Sequence, residues 1–309
     1  MHTFIYCCKV IYNIVFQFKG LPKTLICFYT KLLSMEQLSI FVPNSFLAGS
    51  QDLKVRTYKV GLIGRYSALF RANNIVIYND NSNGGTKSDG EFMKTILEYM
   101  NTPQYLRKQV FPLTKELKNV GILPPLRAPH HPSSDDDVNV GDYRQGLTTK
   151  RVRKGTVVDI GVGQTALCKE KLSVNKVLSF RIEKFGKEIL LEPDEPNDIY
   201  WGYKTITSDS NLSNSITMMK SKPDLVIGTS KYAPNINSIF SEVQTSVNQA
   251  EHVAILFGGP YSGLNAMINE HSLDYVINTV PSQGTETVRT EEALASTLSI
   301  INFLREGTL

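Results

Sequence analysis

The chain has 309 residues, 41% of them hydrophobic, and a formal net charge of +4. This length and apolar content predict a globular protein of one large or two moderate domains, and so small a net charge gives no argument for nucleic-acid binding. The four cysteines, at positions 7, 8, 27 and 168, exclude a disulfide framework and include no CxxC pair. We therefore expect a reducing, cytoplasmic location and no metal site.

Residues 1–34 differ from the rest of the chain, with four lysines, no acids and short apolar runs. The lysines keep each run shorter than a membrane span, and no small-residue cleavage site follows. Without this segment the basic residues fall from 33 to 33 − 4 = 29, equal to the 29 acids. We interpret residues 1–34 as an extension outside the fold, expect the functional protein to begin at Met35, and expect no membrane association.

Residues 35–124 have the pattern of an α/β layer. "LSIFVPNSFL" is typical of a strand, "VRTYKVGLIGRYSALFRANN" of a helix and "NIVIYND" of a buried strand. "GEFMKTILEYMNTPQYLRKQVF" predicts a helix that is interrupted at Thr102-Pro103, because proline lacks the donor that a helix needs. The alternation predicts a parallel sheet covered by helices.

Residues 125–207 change to short β-rich runs: "GTVVDIGVG", "TALCKEKLS", "VLSFRIEKF", "KEILLEP" and "IYWGYKTI". Short strands at this spacing predict a small barrel, here an inserted OB-like domain. "GVGQTA" at 161–166 matches part of a dinucleotide fingerprint, but no helix follows to hold a pyrophosphate. We interpret it as a turn within the inserted domain.

Residues 208–309 return to the α/β pattern, with strands "PDLVIGTS", "HVAILFGGP" and "DYVINTV" and a helix "RTEEALASTLSIINFL". Each strand ends in small polar residues, and ligands bind where parallel strands end, so these loops predict a site. Thr290 is the expected helix N-cap, with Glu291 and Glu292 in the first turn. Since two acids there would repel a phosphate, we expect a neutral or cationic ligand.

These loops match a known family. "LFGGPYSGL" followed by "INTVPSQGTETVRTEEAL" resembles the C-terminal signature of SPOUT-type, class IV S-adenosylmethionine-dependent methyltransferases. "TPQYLRKQVFP", "GILPPLRAPHH", "YWGY" and "VIGTS" are similar to the RNA methyltransferase branch that carries an OB-like insertion. The resemblance runs from about Met35 to Leu304. Two further interpretations of the loops stay open: tight turns that only pack, and a capped helix with a polar lead-in.

The resemblance implies a SPOUT trefoil knot formed by residues 35–124 and 208–309, with S-adenosylmethionine bound by three convergent loops. The cofactor-binding positions that match the family pattern are Gly228, Thr229, Ser230, Phe257, Gly258, Gly259, Pro260, Gly263, Asn278, Thr279, Val280, Ser282, Gln283, Gly284, Thr285 and Thr287. It also implies a homodimer. The apolar stripe Leu294, Leu298, Ile301 and Leu304 suits either that interface or the core.

Two arginines are candidate catalytic residues. Arg65 occupies a position similar to the first-motif arginine of related enzymes, which acts on the acceptor and often across the dimer; the alternative is a solvated helix arginine. Arg289 precedes the last helix, where it could bind an RNA phosphate or the donor's carboxylate. The alternative for Arg289 is a surface salt bridge to Glu286 or Glu292.

Basic residues on the inserted domain predict RNA contact, because lysine and arginine release counterions from phosphates and aromatic rings stack on bases. The predicted RNA-binding residues are Lys150, Arg151, Arg153 and Lys154, Tyr143 and Arg144 just before them, and Arg107 and Lys108 as a second cluster. A solvated charged face is the alternative. We assign His130 and His131 to the hinge with the inserted domain.

The sequence therefore favours an S-adenosylmethionine-dependent RNA methyltransferase acting on a base nitrogen, such as uridine N3, in ribosomal RNA. Transfer to a ribose 2′-oxygen is the second choice. A non-catalytic RNA-binding or assembly protein that keeps the knot as a scaffold is the alternative from another class. A nucleotide-binding enzyme of Rossmann type is disfavoured, because the first strand lacks the glycine fingerprint.

Overall fold

The computed structural model describes residues 37–80, 84–132, 138–261, 263–264, 267–268 and 272–306. The interpretation of residues 1–34 as an extension, and of Met35 as the start, concerns residues outside these ranges. Across the described ranges, every helix is too short or too polar to cross a membrane.

The described strands form a six-stranded sheet and a closed barrel. In chain order the strands are β1 (Gln37–Pro43), β2 (Asn74–Tyr78), β3 (Tyr143–Val152), β4 (Gly155–Asp159), β5 (Ala166–Cys168), β6 (Val177–Lys184), β7 (Leu190–Pro193), β8 (Lys204–Thr207), β9 (Leu225–Thr229), β10 (His252–Leu256) and β11 (Tyr275–Ile277). The helices are α1 (Leu53–Leu69), α2 (Lys87–Asn101), α3 (Gln104–Val110), α4 (Leu212–Thr217), α5 (Phe240–Gln249) and α6 (Thr290–Glu306).

The sheet has the order β11-β9-β10-β1-β2-β8, and every neighbouring pair is parallel. In the central strand β1, Ile40 lies beside Ile255 on one side and Ile75 on the other. All of β1 after Gln37 is buried, as expected for a parallel strand that is covered on both faces. The predicted α/β layer with a parallel sheet is confirmed.

Local sequence sets the helix boundaries. The Asp52 side chain accepts a hydrogen bond from Val55 N at 2.8 Å and caps α1, while Thr86 and Asp89 form a reciprocal capping box at the start of α2. The predicted interruption at Thr102-Pro103 is confirmed, because α2 ends at Asn101 and α3 begins at Gln104.

The C-terminal helix α6 packs on α1 and α5. Its apolar stripe, Leu294, Leu298, Ile301 and Leu304, is at most 1% exposed and belongs to the main core of the same chain. Of the two interpretations of this stripe, the structure supports the core.

The other strands form a closed barrel with the order β3-β4-β5-β7-β6, in which β5 and β7 are parallel and the other neighbouring pairs are antiparallel. Val158, Phe180 and Ile182 fill its interior. Gly146 in β3 has no room for a side chain, since a Cβ there would lie 2.5 Å from Val158 Cγ1. "GVGQTA" spans the turn between β4 and the start of β5, as interpreted from the sequence.

Two strands differ from the sequence predictions. The run "IYWGYKTI", grouped with the barrel, supplies β8, which pairs with β2 at the edge of the parallel sheet. Its tyrosines explain the change, because Tyr200 Oη donates to the Ala72 carbonyl at 2.9 Å and Tyr203 Oη to the Leu97 carbonyl at 3.1 Å. Strand β3 was not predicted as a strand, because its second half carries the basic run.

Candidate active site

A cleft of about 440 Å³ lies where β9, β10 and β11 end, and we call it the strand-end cleft. Such volumes are typical of small-molecule sites, roughly 300–1,000 Å³. Twelve of the sixteen predicted cofactor-binding residues line it: Thr229, Ser230, Phe257, Gly258, Gly259, Pro260, Gly263, Asn278, Thr279, Val280, Gln283 and Thr287. The structure thus brings three loops that are separate in sequence to one place.

Four predicted cofactor-binding positions do not line the strand-end cleft: Gly228, Ser282, Gly284 and Thr285. Gly228 lies within β9, where a Cβ would meet Leu273 Cδ1 at 3.0 Å, so its small size serves packing. The Thr285 hydroxyl donates to the Thr287 carbonyl at 3.0 Å and stabilises the loop from within.

Asn278 ties the loop after β11 to the loop after β9. Its Nδ2 donates to the Lys231 carbonyl at 3.0 Å, and its Oδ1 accepts from Val280 N at 2.9 Å. Its backbone N–H donates to the Pro234 carbonyl at 2.9 Å, and its own carbonyl accepts from Ile236 N at 3.1 Å. One residue therefore fixes the relative position of two cleft loops.

The loop that contains Gly258 and Gly259, which follows β10, packs against polar residues that follow β1 and β2. Ser45 Oγ donates to Asp80 Oδ2 at 2.7 Å, and both residues are buried. A Cβ on Gly259 would lie 2.7 Å from Ser45 Oγ and 2.9 Å from Asp80 Oδ2. Glycine at position 259 thus allows the loop to approach this pair, and the sequence signal was the polar residue after each strand.

Tyr78 forms a hydrogen bond to the residue that begins the same loop. Its hydroxyl donates to the Phe257 carbonyl at 2.7 Å. Burial, with a smaller effect of the nearby Asp80 charge, raises the pKa of Tyr78 well above its usual value. Tyr78 therefore remains a neutral donor at physiological pH.

Lys59 lines the strand-end cleft beside Phe46, and neither residue was predicted from the sequence as a site residue. The Lys59 Nζ lies 3.4 Å from the Phe46 carbonyl oxygen and 4.8 Å from the Phe46 ring centroid. Arg65, the candidate on the same helix, does not line the cleft. Its Nη1 donates to the carbonyls of Pro125 and Leu126 at 2.9 and 2.7 Å, so in one chain it holds the segment that leads to the barrel.

The start of α6 supplies charge to the cleft. Arg289 lines the cleft and is exposed, and among the described residues it forms no ion pair with Glu286 or Glu292. Its carbonyl accepts from Ala293 N at 2.8 Å. Arg289 therefore occupies the N-cap position, one residue before the predicted Thr290.

Glu291 and Glu292 lie in different environments. Glu292 is exposed, and its Oε2 accepts from Arg289 N at 2.9 Å. Glu291 lines the cleft with 4% of its surface exposed, and its buried Oε2 has no hydrogen-bond partner in the described part of the chain. In the sequence the two acids are equivalent, because spacing alone does not show which one faces the cleft.

The basic residues Lys150, Arg151, Arg153 and Lys154 are all exposed, at the end of β3 and in its turn into β4. We call this group the basic hairpin. Arg151 is partly tied down, since its Nε donates to the Leu172 carbonyl at 2.8 Å. The group presents four positive charges on one edge of the barrel.

Arg144 is a correction to the predicted RNA-binding set. It is 3% exposed, and its Nη1 donates to the Ile160 carbonyl at 3.1 Å, so it packs inside the protein. The guanidinium lies 5.6 Å from the ring centroid of Tyr105 on α3. Tyr143 is half-buried, and its hydroxyl donates to Asp194 Oδ2 at 2.9 Å.

Arg107 also has a structural role, because its Nε and Nη2 donate to the carbonyls of Thr102 and Met100 at 2.8 and 3.1 Å. These carbonyls lie at the end of α2, where the helix leaves acceptors unsatisfied. Burial lowers the pKa of Arg107 from its usual value. Lys108 beside it is exposed.

His130 and His131 meet Asn101 at the end of α2, and we call these three residues the His–Asn junction. His130 Nε2 lies 2.9 Å from the Asn101 carbonyl oxygen and 3.1 Å from its Oδ1. Both partners are acceptors, so Nε2 carries the hydrogen. Burial, then the neighbouring His131, lowers the pKa of His130 to about 3.

The His–Asn junction connects the barrel to the part of the chain that contains the parallel sheet. The His130 ring lies 5.9 Å from that of Trp201, whose Nε1 donates to Ser179 Oγ on β6 at 2.8 Å. Asn101 Nδ2 donates to the Tyr203 carbonyl, next to β8, at 2.9 Å. These contacts agree with the assignment of the histidines to the hinge. Within the described ranges no three His, Cys, Asp or Glu side chains group as metal ligands.

Comparison with protein families places the chain among known sequences. The family described as "Putative RNA methyltransferase" matches residues 37–301, which include the sheet, the barrel and all three cleft loops. The match covers far more than half of the 309 residues.

Several curated proteins are similar over most of this chain. The 28S rRNA (uridine-N(3))-methyltransferase of Drosophila melanogaster is 29% identical, with 85% of this chain and 61% of that protein covered. The Homo sapiens protein of the same name is 29% identical, with 85% and 77% covered. An uncharacterized protein of Haloarcula marismortui is 27% identical, with 85% and 98% covered. The chain thus spans about three fifths of the length of the Drosophila relative.

Proposed function

The chain belongs to the "Putative RNA methyltransferase" family, and we propose that it transfers a methyl group from S-adenosylmethionine to N3 of a uridine in ribosomal RNA. One observation carries the proposal: three loops at the ends of parallel strands form a single cleft within a chain similar to uridine-N3 methyltransferases of 28S rRNA. The proposed methyl acceptor comes from the names of those relatives.

The strand-end cleft fits the methyl donor in size and chemistry. Its loops offer neutral hydroxyl, amide and backbone groups, and its charged lining residues among those described are Glu291, Lys59, Lys231 and Arg289. The donor carries charges of both signs, so that Glu291 suits its sulfonium and ammonium groups while the three cations suit its carboxylate. Gly258, Gly259, Asn278 and Thr279 are the residues that we propose hold the donor. When bound, the donor supplies a methyl group on an excellent leaving group, and the chain's own contribution is to orient both reactants.

We further propose the SPOUT class, with a trefoil knot at the C-terminus. The placement of β11 beside β9, and the hydrogen bonds of Asn278 to Lys231 and Pro234, support this proposal. A homodimer, with the partner completing each site, is part of the same proposal and follows from the family resemblance. A cytoplasmic location is also proposed, from the few and unevenly spaced cysteines.

The barrel is proposed to be an OB-like RNA-binding domain. Its five strands, Greek-key order and single parallel pair agree with that architecture. The exposed basic hairpin gives it a surface that attracts phosphates, since each neutralised phosphate releases a counterion.

Incubation of the protein with total RNA and labelled S-adenosylmethionine, followed by nucleoside analysis, tests the proposal. We expect label in N3-methyluridine from ribosomal RNA. Label in a 2′-O-methylated nucleoside would support transfer to ribose, and no label in any RNA would overturn the enzymatic proposal.

Calorimetry with S-adenosylmethionine separates the enzyme from a non-catalytic scaffold. We expect the wild type to bind the donor and Gly259→Trp to lose binding, because even a Cβ at position 259 would lie 2.7 Å from Ser45 Oγ and 2.9 Å from Asp80 Oδ2, so an indole would displace the loop that lines the cleft. Absence of binding in both proteins would favour the scaffold.

A further inference from the structure

Glu291 is a buried carboxylate that helix capping does not explain. Its neighbour Glu292 supplies the capping contact, accepting from Arg289 N at 2.9 Å, and is exposed. Glu291 is 4% exposed, lines the strand-end cleft and leaves Oε2 without a partner in the described part of the chain. A buried polar atom without a partner is rare and calls for an explanation.

Burying a carboxylate without a donor has a high free-energy cost. The dipole of α6 offsets part of this cost, because the first turn of a helix stabilises negative charge. It does not supply a hydrogen bond to Oε2. A ligand group that gives up or shares a hydrogen in the cleft would supply one.

The proposed reaction provides such a hydrogen. Uracil N3 carries a hydrogen at neutral pH and must lose it when it becomes methylated. Of the described residues that line the cleft, Glu291 is the carboxylate, and a positioned carboxylate can accept a proton in the transition state. We propose that the Glu291 carboxylate is the catalytic base that takes the N3 proton of the target uridine, an inference that rests on the proposed function.

The step balances in atoms and charge. N3 bonds to the methyl carbon as the carbon–sulfur bond breaks, and the sulfur keeps the bonding pair and becomes a neutral thioether. The N3 proton passes to Glu291, which becomes a neutral carboxylic acid. Release of that proton to water after product departure restores the carboxylate.

Other titratable and charged groups also face the strand-end cleft, and they limit what a pH profile can show. They are Lys59 on α1, Lys231 and Tyr232 after β9, Tyr261 after β10 and Arg289 before α6. A pH profile of the wild type alone would therefore mix several groups. A comparison of variants at position 291 isolates Glu291.

The matched pair Glu291→Gln and Glu292→Gln tests the base. Each change removes one carboxylate and keeps the side-chain size, but only Glu291 lines the cleft. With transcribed ribosomal RNA as substrate, we expect kcat to fall by about 100-fold or more in Glu291→Gln. Glu292→Gln should keep the wild-type kcat, and both variants should bind S-adenosylhomocysteine within about threefold of the wild type by calorimetry.

Two further measurements separate a base from a residue that only shapes the cleft. The rate of Glu291→Gln should rise with pH more steeply than the wild-type rate, because ionised uridine needs no base. Ribosomal RNA transcribed with 5-fluorouridine, whose N3 hydrogen is more acidic, should restore much of the lost rate. A merely structural role would leave the defect unchanged in both measurements.

The outcomes distinguish this inference from the proposed function. Transfer by the wild type with an undiminished Glu291→Gln rate would overturn the inference alone. Loss of S-adenosylhomocysteine binding in Glu291→Gln would also overturn it, by assigning Glu291 to the donor. No transfer by the wild type, despite donor binding, would overturn the proposed function and the base together.

Discussion

His130 and Asn101 meet through a single ring nitrogen: His130 Nε2 donates to both the carbonyl oxygen and the Oδ1 of Asn101, at 2.9 and 3.1 Å. His131 Nε2 adds a third contact, 2.9 Å from the same carbonyl oxygen. The other nitrogen of His130, Nδ1, is buried without a partner among the described residues. This arrangement requires a neutral His130.

Stability should therefore fall on acidification. The folded pKa of His130 is about 3, below the ordinary 6.5, so between these values the unfolded chain binds the additional proton. The contribution of neutral His130 to the free energy of unfolding is complete above pH about 6.5 and is lost as the pH falls toward 3. We expect a loss on the order of 1 kcal/mol per pH unit from this residue, measured by denaturant unfolding between pH 7 and 5. His130→Gln should show a shallower slope, and an equal slope would contradict the assignment.

Asn101→Ala should destabilise the protein by about 1–3 kcal/mol. The change removes the Oδ1 that accepts from His130 Nε2 and the Nδ2 that donates to the Tyr203 carbonyl, and it leaves that carbonyl unpaired, while the Asn101 backbone carbonyl still accepts from His130. Thermal or denaturant unfolding measures the effect. Asn214→Ala is the matched control, since Asn214 is exposed on α4, and a loss as large there would refute the role of the junction.

Asn278→Ala should weaken S-adenosylmethionine binding by about tenfold or more, which is about 1.4 kcal/mol. The change removes the side-chain hydrogen bond to the Lys231 carbonyl, which joins the loops after β9 and β11, and the bond from Val280 N within the second loop, while the backbone bonds to Pro234 and Ile236 remain. Thr285→Val is the control, because among the described residues its hydroxyl bonds to the Thr287 carbonyl alone, within one loop. Calorimetry compares the two variants, and equal affinities would show that the link between the loops does not matter.

The double variant Arg153→Gln, Lys154→Gln should weaken RNA binding and reduce its salt dependence. Removing two phosphate contacts should lower the slope of log affinity against log salt by roughly 1.4 for single-stranded RNA. Lys115→Gln, Lys118→Gln removes the same charge from exposed positions outside the barrel. Filter binding over a salt series measures the RNA affinity and its salt dependence for both double variants. Equal slopes in the two variants would contradict the proposal that the basic hairpin binds RNA.

Arg65→Ala separates the two interpretations of that arginine. Loss of its hydrogen bonds to the Pro125 and Leu126 carbonyls should lower stability by about 1–3 kcal/mol. If Arg65 also acts on the acceptor from the partner of a dimer, kcat should fall while the protein remains folded. Unfolding and single-turnover rates, measured on Arg65→Ala and on Arg65→Lys, distinguish these results.

Much of the fold was determined by the local sequence. The apolar strands, the proline that separates α2 from α3, and the capping box at Thr86 and Asp89 depend on neighbours a few residues apart. The convergence of the loops after β9, β10 and β11 followed from one rule, that parallel strands end at the same edge.

Tertiary structure alone decided which side chains of each helix and strand are buried, line the cleft or face solvent. Glu291 and Glu292 have the same chemistry, and only the packing of α6 turns one into the strand-end cleft and the other to solvent. In the same way Arg144 is buried while Lys150 on the same strand is exposed, and Tyr200 and Tyr203 draw β8 to the sheet instead of the barrel. The sequence set the residue types and their spacing. Burial depends on contacts between residues far apart in the chain, and local spacing does not contain them.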